Sequence, residues 1–234
     1  GEIDLDSLFW NDLQLTDIKG PLWADGSDCF LGEGVARKVQ GVAMIPGTGE
    51  YSLATTPVYL SPEYGAQAAI NVNSPSGPTD FEASLASLTG ELPECHSSVL
   101  VVSWFGSDLR VGNCVVAPKV EQVEIDGDPM PWVVSGQGRD GAITVPRLGD
   151  RPVYGGTPAD ASVVEAIKLM RTRGVDAVFY PFILMEQMAG NSLPDPYTGD
   201  AGQPPLPWRG RITTDRAPGV AGSTDMTAAA EAEV

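Results

Sequence analysis

Asp108 and Glu186 are the carboxyl side chains best placed for chemistry, because each follows a long apolar run: Asp108 comes three residues after Phe105, and Glu186 two residues after Leu184. Parallel β/α folds carry their reactive side chains just beyond the carboxyl ends of the strands, and glycoside hydrolysis uses two carboxyl groups about 5 to 10 Å apart. The pattern therefore makes Asp108 and Glu186 a candidate catalytic pair, with Trp104, Tyr180 and Trp208 as faces for stacking a sugar ring. A plainer reading stands beside it. Among thirty-one acidic residues some must fall after strands, and a loop carboxylate is ordinarily solvated. Asp195, in Asn191-Ser-Leu-Pro-Asp-Pro-Tyr197, also follows the second apolar run, within a proline-rich stretch that reads as a docking loop or a substrate lid.

Other motifs lack their context. Gly136-Gln-Gly138-Arg-Asp-Gly141 has the spacing of a dinucleotide fingerprint, but Ala142-Ile-Thr-Val-Pro146 is β-branched and ends in proline where a helix is required, so a β-turn is expected. The single histidine, His96, has no partners at metal-ligand spacing and no Gly-x-Ser-x-Gly elbow, which argues against a zinc site and a serine triad. No metal and no cofactor is expected. Cys29, Cys95 and Cys114 are odd in number and widely spaced, so free thiols are expected rather than a disulfide framework.

The elements that would position these residues are β/α units. Thr79 and Glu82 form a Thr-x-x-Glu capping box, followed by Phe81, Leu85, Leu88 and Leu92 at helical spacing, with Gly90 and Pro93 as stops. Residues 98–105 then read as a strand buried on both faces. A second unit repeats the pattern: Thr157 as cap with Pro158 behind it, a stripe of Val163, Val164, Ile167 and Met170, a close at Gly174, and a buried strand over residues 175–184. Between the units, residues 106–156 form an insertion with β signals at 115–125, 132–135 and 142–145. Upstream, Lys38 to Ile45, the turn Pro46-Gly-Thr-Gly49 and Glu50 to Thr56 predict a hairpin.

The expected organisation is a connector at 1–35, a β-rich segment at 36–78 and, at 79–234, an α/β domain that is the leading part of a TIM-barrel-like fold. Gly1 in place of an initiator Met, and a final Thr227-Ala-Ala-Ala-Glu231-Ala-Glu-Val234 that reads as a helix without an ending, suggest a piece of a larger acidic protein. A formal charge of −17 opposes binding to nucleic-acid backbones or anionic lipid. No apolar run has the length of a transmembrane helix.

Several strings together resemble one family: Gln40-Gly-Val-Ala-Met-Ile-Pro-Gly-Thr-Gly-Glu-Tyr51, Leu53-Ala-Thr-Thr-Pro-Val58, Val101-Val-Ser-Trp-Phe-Gly106, Arg151-Pro-Val-Tyr-Gly-Gly-Thr-Pro-Ala-Asp160, Phe179-Tyr-Pro-Phe-Ile-Leu-Met185 and Pro207-Trp-Arg-Gly-Arg-Ile-Thr213. From about Ala36 onward the chain resembles the baseplate megatron, or tail-tip, proteins of gene transfer agents and related siphophages. The resemblance implies a TIM-barrel-like, glycoside-hydrolase-like region in a virion component at the tail tip, assembled in the bacterial host cytoplasm. It further implies a homotrimer around the tail axis, with other baseplate and tail hub proteins and host cell-wall polysaccharide as partners. The first expectation is a structural role in host-envelope attachment and opening of the DNA delivery path; the alternative is a glycoside hydrolase acting on peptidoglycan or surface polysaccharide. No catalytic residue of the family is carried onto this chain.

Overall fold

The computed structural model describes residues 36–60, 69–74, 77–207 and 211–234, together with the backbone of four short strands before them. Those four make two antiparallel pairs, Phe9–Trp10 with Leu13–Gln14 and Leu22–Asp25 with Asp28–Leu31. The apolar side chains of the expected connector, Cys29 and Trp208 lie outside the described residues.

The organising element is a parallel sheet. Strand β1 (Gly41–Met44) pairs in parallel with β2 (Ser97–Gly106) from Gly41↔Ser97 to Met44↔Leu100. Helix α1 (Asp80–Glu91) connects them, so the three make one β/α/β unit. Its start follows from local chemistry: Thr79 Oγ1 accepts the Glu82 N–H, and Glu82 Oε2 accepts the Thr79 N–H, satisfying two donors that the first turn leaves free. The chain then makes an insertion and forms helix α2 (Asp160–Thr172) before the last strand. That insertion holds β3 (Val116–Ala117), β4 (Lys119–Val120), β5 (Val133–Val134), β6 (Gln137–Gly138), β7 (Ile143–Thr144), β8 (Arg147–Leu148) and β9 (Arg151–Pro152). Strand β10 (Asp176–Met185) pairs in parallel with β2 over its whole length, from Asp176↔Ser97 to Met185↔Gly106. The sheet order is β10-β2-β1, with β3 added antiparallel at the end of β2. The fold is mixed α/β, and the described residues form no closed barrel.

Four sequence expectations need correction. The hairpin does not form: Gly41–Met44 belongs to the parallel sheet, and residues 50–53 are turn, because pairing with β2 buries Met44 and Leu53 in the helix-covered core. Thr157 does not cap α2; the N-cap is Ala159, and Thr157 Oγ1 accepts the Lys119 N–H, tying the helix approach to the insertion. Val164 faces outward while Ala166 is buried in its place. The strand over 176–185 is not buried throughout: Val178, Phe179 and Tyr180 are exposed, since among the described residues β10 pairs only with β2. At the other end, residues 228–233 form a 3-10 helix capped by the Thr227 side chain.

Two cores flank this sheet. On one face Phe81 and Leu85 of α1 and Val163, Ala166 and Met170 of α2 meet Met44, Leu100 and Val102. Beside it, the insertion packs Val120, Met130, Trp132 and Val134 against Tyr51, Ala54 and Val58. Register puts Val99, Val101 and Phe105 of β2 on the same side as Val178, Tyr180, Phe182 and Leu184 of β10. That second face carries no helix. Only Phe105, Phe182 and Leu184 near its carboxyl end are covered, by Val145 and Leu206, while Val178 and Tyr180 stay exposed.

Candidate functional site

Asp108 and Glu186 both lie just past the carboxyl ends of adjacent strands, as the sequence predicts, and the Glu186 N–H donates to the Gly106 carbonyl at 3.0 Å. Each is engaged in holding loops. Asp108 is buried and clamped: Arg110 donates Nε to Oδ1 at 3.0 Å and Nη2 to Oδ2 at 2.7 Å, and the Arg110 N–H adds a bond of 2.8 Å to Oδ1. Gln203 Nε2 donates to the same Oδ1 at 2.8 Å. Burial pushes the Asp108 carboxyl up, but the Arg110 guanidinium and these donors outweigh it and hold the group below the usual carboxylate range. Such a group stays ionised and saturated, a poor general acid. Gln203 also accepts the Leu109 N–H and donates to the Pro194 carbonyl, so it stitches the loop after β2 to the loop after β10.

Glu186 makes an ion pair of 2.5 Å with Lys119 Nζ, which is buried in β4 and fastens the insertion to the end of the sheet. Trp104 points to the helix-covered side and packs between the two cores, away from the open face. Tyr180 stands on that open face beside Phe182, their ring centroids 6.3 Å apart. Trp104 and Tyr180 therefore do not share a surface. Asp195 forms a turn: its Oδ1 accepts the Tyr197 N–H at 2.8 Å. His96 lies in the turn before β2, its Nδ1 beside the Glu94 carbonyl. Cys95 and Cys114 are free. Among the described residues no group of His, Cys, Asp and Glu could hold a metal ion, and no helix is long and apolar enough to cross a membrane.

The most heavily charged buried cluster was not marked by any sequence signal. The Gly136 motif opens on a β-turn, with Ser135 and Gly136 both at positive φ between β5 and β6, and its fourth residue, Arg139, which follows β6 and starts a short 3-10 turn, is buried. Arg139 makes a short ion pair through Nη2 with Glu50 Oε2, and donates through Nη1 to Glu50 Oε1 at 3.2 Å and the Gln122 carbonyl at 2.6 Å. Its Nε reaches Asp126 Oδ1 at 2.9 Å and its Nη2 reaches Tyr51 Oη at 3.1 Å. The guanidinium also lies 6.0 Å from the Trp132 ring centre. Burial drives the Tyr51 hydroxyl far up in pKa, against the opposing pull of Arg139.

No protein-family model matches the chain. Nor does any curated protein resemble it closely enough to count as a relative. The functional reading therefore rests on the geometry and on the sequence resemblance.

Beside Arg139, Glu121 accepts the Gly156 N–H at 3.2 Å and carries no salt bridge among the described residues; burial, together with the nearby Glu50 charge, raises its carboxyl above the usual range. The backbone is tight here: a Cβ on Gly155 would lie 2.6 Å from the Thr48 carbonyl carbon, so only glycine lets the end of the insertion cross the loop after β1.

Proposed function

We propose that the chain is a structural component of a phage or gene-transfer-agent tail tip, acting in host-envelope attachment and in opening the DNA delivery path, and that its sheet is the leading part of a TIM-barrel-like domain. The observation that carries this reading is the open sheet face. Ile45 and Tyr180 are exposed around an apolar groove of about 610 Å³ that also includes Val99, Val101 and Leu184, and Val178 is exposed on the same face. In a barrel such a face is the interior, filled by layers of side chains from neighbouring strands. A sheet with helices on one side and an exposed apolar surface on the other is built for further packing, which favours a part of a large assembly over a free-standing enzyme.

The carboxylates speak for the same role. Asp108 and Glu186 hold loops through Arg110, Gln203 and Lys119, so the hydrolase alternative draws no support from them. The partners proposed are other baseplate and hub proteins, further copies in a trimer around the tail axis, and host cell-wall polysaccharide as the surface met on contact. The location proposed is the virion tail tip. Antibodies against the loop at 186–207 applied to intact particles test it by electron microscopy. Label confined to the distal end of the tail is expected; label on the capsid, or particles lacking the protein altogether, would overturn the reading.

A further inference from the structure

Outside the carboxyl-end loops of β2 and β10 lies a second cavity, of about 640 Å³, at the carboxyl end of β1. Its walls are the Pro46-Gly-Thr-Gly49 loop, the first turns of α1 at Asp80 and Ser84, the stretch at Asn71 and Asn73, and Glu121 with Gln122 from the insertion. Chain segments distant in sequence thus converge on one space, at the end of a parallel strand where α/β sheets ordinarily bind ligands.

The lining chooses among ligand classes. Among the described residues no lysine or arginine contributes to the wall, so a phosphate or carboxylate would meet none of their cations there. The charge of Glu50 is already matched by Arg139 from behind. Asp80 is occupied, accepting the Asn73 N–H at 2.9 Å and Asn73 Nδ2 at 2.7 Å. The Gln122 amide is closed on the Ile125 backbone, donating to its carbonyl at 2.6 Å and accepting its N–H at 2.8 Å, so what remains on the wall is Glu121, whose desolvated site disfavours the anion, with the hydroxyls of Thr48 and Ser84. Hydroxyls both donate and accept, and a carboxyl accepts or, when protonated, donates, which suits a molecule that does likewise.

We propose that this cavity binds a small, neutral, hydroxyl-rich molecule, with the Glu121 side chain as the central contact. The site does not depend on the tail-tip assignment: none of the described residues that line it lines the groove on the open sheet face.

The test is an NMR titration of the 15N-labelled chain with three probes of matched shape, glucose, glucosamine and glucose 6-phosphate. Saturable shifts with glucose at the amides of Gly47, Gly49, Ser84 and Glu121, at least tenfold weaker with the phosphate, are expected. Glu121→Gln, which keeps the size and hydrogen-bonding capacity of the side chain, should bind glucose within about threefold of wild type, and Glu121→Ala at least tenfold more weakly. Ala83→Trp, which fills the cavity from the surface of α1 without touching the Arg139 cluster, should abolish the shifts while leaving the rest of the spectrum unchanged. No saturable shift with glucose, binding of glucosamine alone, or glucose binding unaffected by Ala83→Trp would each overturn the proposal.

Discussion

Replacing Arg139 by Met tests the buried charge cluster most directly. The guanidinium is almost wholly buried and makes five hydrogen bonds, to Glu50, Asp126, Tyr51 and the Gln122 carbonyl. Asp126 has 40% of its side chain exposed and finds water when the partner goes, so its loss is small. Glu50, at 5% exposure, does not: it keeps the Glu121 N–H at 2.6 Å but sits as a buried charge without a counter-ion. Breaking a buried pair from one side costs about 3 to 5 kcal/mol. With a urea dependence of about 2.5 kcal/mol per molar, a cost near 4 kcal/mol moves the unfolding midpoint down by roughly 1.6 M. The double variant Glu50→Gln with Arg139→Met removes both charges together and should recover about 1 to 3 kcal/mol of that loss. Urea melts followed by circular dichroism measure both. A midpoint shift under about 0.4 M for the single variant, or a double variant no better than the single one, would refute the claim that Glu50 depends on Arg139.

Glu121 has a carboxyl raised in the folded state, so the native protein holds that proton more tightly than the unfolded chain and loses stability as pH rises through the folded value. Glu121→Gln should therefore gain on wild type as pH rises from the ordinary glutamate range, read from urea midpoints at successive pH values. Asp108 behaves in the opposite way: its depressed carboxyl contributes stability above the ordinary aspartate range that disappears as pH falls through the folded value. Asp108→Asn should cost about 1 to 3 kcal/mol at neutral pH and progressively less in acid; a cost that does not change with pH would refute the clamp. Leu85→Ala, at a position 1% exposed between α1 and the sheet, should lower stability by about 2 to 5 kcal/mol, measured in the same way.

What was legible in the sequence was local. The capping box of α1 depends on Thr79 and Glu82, three residues apart, and it forms as read. The apolar run of β2 marks a parallel strand for a similar reason, since a strand covered on both faces needs apolar residues at successive positions, whereas the equally apolar run of β10 gave its strand but not its half-exposed state. Pairing across the chain was not legible. β1 carries the same alternation and turn residues as a hairpin strand, and only its register against β2 places it in the parallel sheet. Thr157 has the residue type of a helix cap, yet a backbone amide thirty-eight residues away claims its hydroxyl. The site shows the same divide. Position after a strand located Asp108 and Glu186 at the carboxyl end, but their roles were decided by Arg110, Gln203 and Lys119. Arg139 and Glu50 are eighty-nine residues apart, and a turn motif disguised the arginine.

The exposed half of β10 has a consequence for how the protein stays dispersed. Val178, Phe179 and Tyr180 are β-favouring side chains on a strand that, among the described residues, pairs on one side only, the type of segment on which a foreign strand is templated. Pro181 interrupts that edge by removing one donor, and Asp176 puts a charge at its start. These two residues act as gatekeepers, so Pro181→Val should turn a folding intermediate that stays dispersed into one that self-associates through its edges.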